Sequence, residues 1–368
     1  MKQRFTALSL LAGFLTVASL AGTVFAQDAT DTLPAHPRYL RMTPHLRTDI
    51  APPAVSLPTW NGSFVYGGHT YNYNMVGTAP STGTSTTIPV FIIPIALKYT
   101  SGTTVTIFSP AHVLTNGQTV TANTVASPVF KSGIDFVQGG TDLGNTQYID
   151  AFQRGNFWGA VSSHTGYHLL LGTPTVAKVL TFAVPSTQGR VATEFGVKVG
   201  LADVNWFDSM LQKILTKAAT IIQPNSLAIF MTYDVYLTQF GGCCIGGYHG
   251  SMGTAGSPQS YAHFTYIDHP VFAQNVSALS HEVGEWADDP LVVNINGNPV
   301  VCGVLEVGDP EEGFTNYGGF SYTLSGFTYT LQDLVWLPYF GAPASTSANG
   351  WETFQGNPFG LGICNNGG

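Results

Sequence analysis

The sequence predicts an α+β fold, with a β-rich N-terminal half and a metal-binding helix in the C-terminal half. Three observations lead to this class. Only 9% of the residues are charged and 42 are glycine, which is typical of β-rich exported proteins. Apolar, β-branched runs bounded by turn residues recur between residues 59 and 200. Finally, between His281 and Asp289 a histidine and several carboxylates have the spacing of residues that lie on one face of a helix.

The region 59–200 is predicted to contain mainly strands. Thr87–Tyr99 is an apolar, β-branched run followed by the turn residues Ser101 and Gly102, and Thr104–Phe108 alternates as a strand does. Thr119–Val125 also alternates and is predicted as a strand. A short helix is expected over Thr146–Asn156, where large aromatic side chains fall near one face.

The region 201–368 mixes helices and strands in its local signals. Asp203 can cap a helix that extends to Ile222, and Ser277 can cap a second one that ends at Asp288, before Pro290. The other predicted elements are a strand at Leu227–Tyr236, a glycine-rich loop at Gly241–Gly250, an edge strand at Tyr261–Tyr266, and a hairpin formed by Phe320–Leu324 and Phe327–Leu331.

Residues 1–26 have the features of a signal peptide: Lys2 and Arg4, an apolar run, and small residues before Gln27. We therefore expect a secreted or periplasmic protein. After this segment the longest apolar run is Val90–Leu97, far short of the ~20 residues of a membrane helix, so no membrane span is expected in the mature chain. Residues 27–58 are rich in proline and basic side chains. They are interpreted as a flexible leader or as a pro-segment that lies over the acidic half.

The C-terminal part of the chain is acidic and contains no opposing charge. Residues 218–368 include twelve carboxylates but no lysine or arginine, and five of the seven glutamates lie between Glu282 and Glu312. Carboxylates that are buried together need protons, a basic segment from elsewhere, or a bound cation. Nucleic acid is not expected as a partner, because this half offers no basic patch.

Four cysteines in an exported protein suggest disulfides, with three possible pairings. Cys243 and Cys244 are adjacent, and a bond between them would require an unusual backbone. The favoured interpretation therefore pairs each of them with Cys302 or Cys364.

The helix over residues 277–288 carries the predicted chemistry. His281 and Glu285 are one turn apart and can bind one ion from the same face, while Glu282 can reach a water beside that ion. This is the arrangement of H-E-x-x-H zinc peptidases, with glutamate in place of the second histidine. Calcium is possible at an oxygen-rich site, but the histidine favours Zn²⁺.

The segment Ser280–Pro290 resembles the H-E-x-x-E-x-x-x-D-P motif of secreted zincin-like proteins, some of which are related to the plant exordium family. Cys244–His249 upstream and Leu305–Asp309 downstream are similar to further segments of that group. The resemblance covers roughly residues 225–368. It implies a zincin-like fold around the metal site.

The same resemblance suggests a third metal ligand. Glu306 follows Glu285 by a distance similar to that in gluzincins, where a nearby aspartate orients a ligand histidine. Asp309 could orient His281 in this way, or Glu306 and Asp309 could exchange roles and Asp309 bind the metal. Asp288 and Asp289 are alternative third ligands.

Together these features predict a secreted zinc-dependent metallohydrolase, most plausibly a peptidase acting on peptides or proteins. Glu282 would be the general base, with His281, Glu285, Glu306 and Asp309 around the metal. His249 would either hydrogen-bond an oxyanion or simply satisfy its loop. Two alternatives stay open: a non-catalytic cell-surface or adhesion protein with a structural ion, and a metal-free acid peptidase.

Overall fold

A computed structural model describes residues 37–48, 53–66, 69–138, 141–292, 306–312, 316–334 and 354–355. The predicted signal peptide and the first part of the leader, residues 1–36, lie outside this description. Pro34–Gly368 forms one compact unit. No described helix is long and apolar enough to cross a membrane.

The described residues contain strands β1–β20 and helices α1–α5. The strands are Arg38–Arg41, His45–Arg47, Thr59–Tyr66, His69–Val76, Ser85–Ile88, Val90–Ser101, Thr104–Phe108, Ile134–Gln138, Thr141–Thr146, His168–Leu171, Thr175–Val176, Leu180–Ala183, Gly189–Glu194, Val197–Asp203, Leu227–Tyr233, Val235–Gln239, Gly242–Thr254, Ser257–Tyr266, Gly319–Leu324 and Phe327–Gln332. The helices are Val120–Ala126, Tyr148–Asn156, Trp158–Val161, Val204–Ala218 and Ser277–Asp288, with short 3₁₀ turns at Pro80–Thr82, Pro128–Phe130 and Asp309–Glu311.

A twelve-stranded mixed sheet forms the centre of the molecule. Its main path is β11-β6-β15-β18-β17-β16-β14-β13, and β1, β2, β7 and β12 pair with strands of this path. The inner strands β6, β15 and β18 are parallel, whereas β17 is antiparallel to both β18 and β16. Four two-stranded ribbons complete the described β-structure.

Both faces of this sheet are covered, which explains its nearly continuous apolar strands. On β15, Ile229 and Met231 face the core that includes Val283 of α5, whereas Phe230 faces the core that includes Phe207 of α4. Helix α5 therefore lies buried against the sheet, on the face opposite α4. This packing fixes the position of every side chain that α5 carries.

The predicted zincin-like α+β class is wrong. Strands account for 45% and helices for 21% of the described residues, and the region 201–368 itself contributes the long strands β15, β17 and β18 to one large sheet. A helix does carry His281, Glu282 and Glu285, but it is one of five in a mainly β structure. The motif specifies a single helix, because its spacing is local, and contains no information about the strands that surround it.

Several local predictions agree with the structure and three do not. The strand at Thr104–Phe108, the helix capped by Asp203 and the hairpin at residues 319–332 are present, and the Asp203 carboxylate accepts a hydrogen bond from the Trp206 amide at 2.9 Å. The predicted strand at Thr119–Val125 is helix α1, because the Thr119 hydroxyl accepts a hydrogen bond from the Ala122 amide and caps it.

The other two wrong predictions concern the sheet beside α5. The glycine-rich segment 241–250 is not a loop but most of β17, whose small residues let the strand run close to α5: a Cβ at Gly247 would lie 2.7 Å from Glu282 Oε1. The predicted edge strand at residues 261–266 is internal, because β18 has β15 on one side and β17 on the other.

The predicted disulfide pairing is also wrong for the two described cysteines. Cys243 and Cys244 are bonded to each other, and the peptide bond between them is cis, an arrangement that the sequence prediction set aside. Cys302 and Cys364, their expected partners, lie outside the described residues.

Candidate metal centre

Helix α5 is buried along its whole length and packs against β17, β18 and β20. Its N-cap is Val276 rather than the predicted Ser277. The preceding turn is held by Asn275, whose side-chain oxygen accepts hydrogen bonds from the amides of Val276 and Thr330. Asn275 thus ties the start of the helix to β20.

His281, Glu285 and Asp309 bring three potential ligand atoms together. The Nε2 atom of His281 lies 3.0 Å from Glu285 Oε2 and 3.6 Å from Asp309 Oδ1. The three ligand atoms are all within 4.8 Å of one another. His281 and Glu285 are buried, and the side chain of Asp309 is 27% exposed. The structure thus brings together three of the four residues predicted around a metal, in an arrangement that could hold one small cation.

The protonation of His281 is fixed by Gln332, at the end of β20. His281 Nδ1 contacts Gln332 Oε1, which can only accept, so the ring proton lies on Nδ1. The Gln332 amide group in turn donates to the carbonyl of Gly308 at 3.1 Å. His281 Nε2 therefore presents a lone pair toward Glu285, and it has no hydrogen-bond partner among the described residues. Two lone pairs 3.0 Å apart require a proton or a cation between them.

The resemblance suggested that Asp309 could orient His281, but it is Gln332 that contacts Nδ1 of the ring. Asp309 faces Nε2, the other ring nitrogen. The sequence carried no signal for Gln332, which is 51 residues from His281.

We expect replacement of Gln332 by leucine to weaken metal binding by roughly 10–100-fold, because the His281 ring loses the contact that fixes its tautomer. Gln332→Glu keeps an acceptor for the Nδ1 proton and should retain most of the affinity. The measurement is competition for Zn²⁺ against a chromophoric chelator. Equal affinities for the leucine variant and the wild type would contradict an orienting role.

Gly308 allows the backbone to approach the centre. A Cβ atom at this position would overlap the His281 ring, and the Gly308 amide donates a hydrogen bond to Glu285 Oε1 at 2.9 Å. Oε2 of Glu285 is thereby left to face His281. Any larger residue at 308 would push the ring away from the ligand atoms.

His249 and Glu282 form a second buried pair beside this group. The His249 Nε2 atom lies 3.1 Å from the Asp289 carbonyl oxygen, which can only accept, so Nε2 carries the proton. Nδ1 then faces Glu282 Oε2 at 3.3 Å and Glu285 Oε2 at 3.9 Å. Burial lowers the pKa of His249 to about 3, so the ring is neutral at pH 7. Its Nδ1 atom can then accept a hydrogen bond from the protonated carboxyl group of Glu282.

Glu306 is buried beside Glu285 and forms a side-chain hydrogen bond with it. Its Oε1 atom has no partner among the described residues. Glu306 is not part of any group of converging ligand atoms found in the described residues, whereas Asp309 is. The alternative in which Asp309 is the third ligand therefore has more geometric support.

Asp288 lies away from the predicted centre. Its Oδ2 atom accepts a hydrogen bond of 2.7 Å from Asn156 of the neighbouring helix α2. It therefore contributes to helix packing, and neither it nor Asp289 belongs to a converging group of ligand atoms in the described residues.

The electrostatic environment strongly disfavours negative charge. Burial raises the pKa of Glu282, Glu285 and Glu306 well above the usual range, and the neighbouring carboxylates raise it further. Burial also lowers the pKa of His281 to about 4. A polar cluster of this kind is stable only with protons or a cation in it. A divalent ion would replace those protons, since ligands bind metals in their deprotonated form.

No family model, characterised protein or solved structure matches this chain. The resemblance to zincin-like and exordium-related proteins therefore stays a prediction from the motif alone.

Proposed function

We propose that this protein is a secreted or periplasmic zinc-dependent metallohydrolase, with peptides or proteins as substrates. The observation that carries the proposal is the convergence of three ligand atoms at a largely buried site, with the Nε2 lone pair of His281 directed at Glu285 and Asp309. The export of the protein rests on the signal-like residues 1–26.

The donor set fits zinc better than calcium. The imidazole nitrogen of His281 and the carboxylate oxygens of Glu285 and Asp309 are donor types that zinc accepts, whereas calcium prefers six or more oxygens. Glu306 adds a third carboxylate, which hydrogen-bonds to Glu285. When bound, zinc would supply Lewis-acid polarisation of a substrate carbonyl and make a water acidic.

Glu282 would act as the general base. It is one residue from His281, it is buried, and its Oε1 atom has no partner among the described residues. Burial and the neighbouring carboxylates raise its pKa in the metal-free centre, and a bound cation would lower that pKa, so that Glu282 would be ionised and could accept a proton from a water. Neutral His249 stabilises the protonated form by accepting a hydrogen bond on Nδ1, after which Glu282 can pass the proton to the leaving amine. In this scheme His249 acts on Glu282 rather than on an oxyanion, because its Nε2 proton is already donated to Asp289.

A structural ion in a non-catalytic surface or adhesion protein is the second candidate. One observation favours it: His281 and Glu282 are 0% and 1% exposed, so these two side chains are out of reach of a substrate in this conformation. An ion there would neutralise the carboxylates and tie α5 to residues 306–312.

Chelation separates these possibilities. In the hydrolase, EDTA should abolish cleavage of a quenched fluorescent peptide library, and stoichiometric Zn²⁺ should restore it. A purely structural ion predicts lower thermal stability with EDTA and no hydrolysis to lose. A metal-free acid peptidase predicts cleavage that EDTA leaves unchanged. The same samples, heated with and without Zn²⁺, give the stability readout.

A further inference from the structure

Residues 38–47, named here the strap, run along one edge of β17. Strand β1 pairs with β17 in parallel, with Leu40 opposite Tyr248, and β2 continues along the same edge with His45 opposite Met252. The other edge of this part of β17 is paired with β18. The strap therefore occupies backbone positions that any extended polypeptide could occupy, since strand pairing is independent of side-chain identity.

Tyr39 of the strap closes the candidate metal centre. Its ring stacks on the imidazole of His281, with 3.7 Å between the ring centroids and 30° between the planes. It also packs 5.0 Å from Phe272 and hydrogen-bonds to Ser277 at the start of α5. Tyr39 is only 4% exposed, so its ring covers His281 from the strap side.

The strap also brings polar and basic groups to the acidic half. The Tyr39 amide donates to Glu312 Oε1, and Arg38 interacts electrostatically with the same carboxylate. Further along, His45 Nε2 lies 3.2 Å from Oδ2 of Asp208, a residue of α4 that precedes the acidic half. Because residues 218–368 contain no lysine or arginine, the strap supplies charge that this region lacks.

We propose that the edge of β17 is a binding groove for an extended polypeptide, and that the strap fills this groove and keeps the centre closed until it is displaced. The groove would favour an aromatic side chain over His281, preceded by a basic residue near Glu312. This inference rests on the proposed function, because it assigns the substrate class and the regulation of the same site.

The first test is the accessibility of His281 to diethyl pyrocarbonate in metal-free, full-length protein, followed by mass spectrometry. Tyr39→Ala should raise the rate of His281 modification by about tenfold or more, because removal of the ring allows local opening. Tyr39→Phe should modify as slowly as the wild type. Tyr73→Ala is the matched control, since Tyr73 is a similarly buried tyrosine of the same core, 6% exposed.

A Tyr39→Ala rate no higher than that of Tyr73→Ala would overturn the closure. Fast modification of His281 in the wild type would do the same.

The second test uses the full chain with residues 38–47 replaced by a glycine-serine sequence of equal length. A fluorescent synthetic peptide of sequence 37–48 should bind this variant and not the wild type, whose groove is filled. A scrambled peptide is the control, and circular dichroism checks the fold of the variant. Binding of the peptide to neither protein, or equally to both, would overturn the groove. If the replaced chain does not fold, the test is made on Tyr39→Ala. That variant should bind the peptide more tightly than Tyr73→Ala does.

Neither readout depends on metal or on hydrolysis. If His281 opens and the peptide binds but no metal is bound, the groove stands and the hydrolase proposal fails. If metal and hydrolysis are found but Tyr39→Ala changes neither accessibility nor rate, the hydrolase stands and the strap proposal fails.

Discussion

Replacing Glu282 by glutamine is expected to lower peptide hydrolysis by about 10²–10⁴-fold, the range attributed to general acid–base catalysis. Glutamine has nearly the same shape, so it fits beside Gly247 and can still donate a hydrogen bond to His249 Nδ1. It cannot take a proton from water at neutral pH. The loss should therefore appear in kcat, with little change in the amount of bound metal.

The measurement compares initial rates and zinc content for Glu282→Gln and the wild type, each also in a Tyr39→Ala background so that the strap does not limit access. Glu311→Gln is the matched control. Glu311 is an equally buried glutamate of the same acidic stretch, but its side chain lies beside Gly318 and it belongs to no group of converging ligand atoms among the described residues. Hydrolysis that survives in Glu282→Gln, with the metal still bound, would remove Glu282 from the reaction.

Replacing Glu285 by glutamine should empty the metal centre. The glutamine oxygen can still accept the Gly308 amide, which preserves the local fold, but an amide nitrogen then replaces the carboxylate oxygen that faces His281. We expect zinc content to fall from about one ion per chain to a trace. The stabilisation that metal gives, about 2.7 kcal/mol at a metal concentration one hundred times Kd, should disappear with it.

Elemental mass spectrometry and thermal unfolding with and without Zn²⁺ measure these two effects. Glu311→Gln again serves as control, because it removes the same charge without removing a converging ligand. Zinc retained in Glu285→Gln would exclude Glu285 as a ligand. Calcium in place of zinc in the wild type would favour the structural ion, and no metal in either protein would leave protonation as the explanation for the buried carboxylates.

The two predictions depend on different parts of the same cluster. Glu282 is in contact with His249. The carboxylate of Glu285 converges with the ligand atoms of His281 and Asp309. A protein that binds metal but does not hydrolyse peptides would show no hydrolysis for Glu282→Gln to lower, but it would still lose its metal in Glu285→Gln. That result would identify a structural ion beneath the strap.

The composition and the local motif predicted a good part of this centre. The absence of lysine and arginine after Lys217 indicated that the buried acids needed another counter-charge. The i, i+4 spacing of His281 and Glu285 gave their shared helix face, because helical geometry depends only on neighbouring residues. Helix α5 is accordingly where the sequence predicted it, with His281 and Glu285 in contact on one face.

The sheet was less predictable, since strands buried on both faces lack the alternation that identifies them. The glycine-rich residues of β17 had the composition of a loop, and only their pairing with β18 and β1 makes them a strand. For the same reason the motif led to the wrong fold class. It described one helix correctly, but the long strands of the C-terminal half make the fold mainly β.

What the sequence determined by itself was therefore local: the excess of acidic residues, helix α5, and the placement of His281, Glu282 and Glu285 together on that helix. The tertiary structure alone decided which distant groups complete the centre. Gln332 contacts Nδ1 of His281, Asp309 faces Nε2, and Tyr39 covers the ring. These contacts join residues far apart in the chain, and such contacts depend on how the strands and helices pack together rather than on any spacing within one segment.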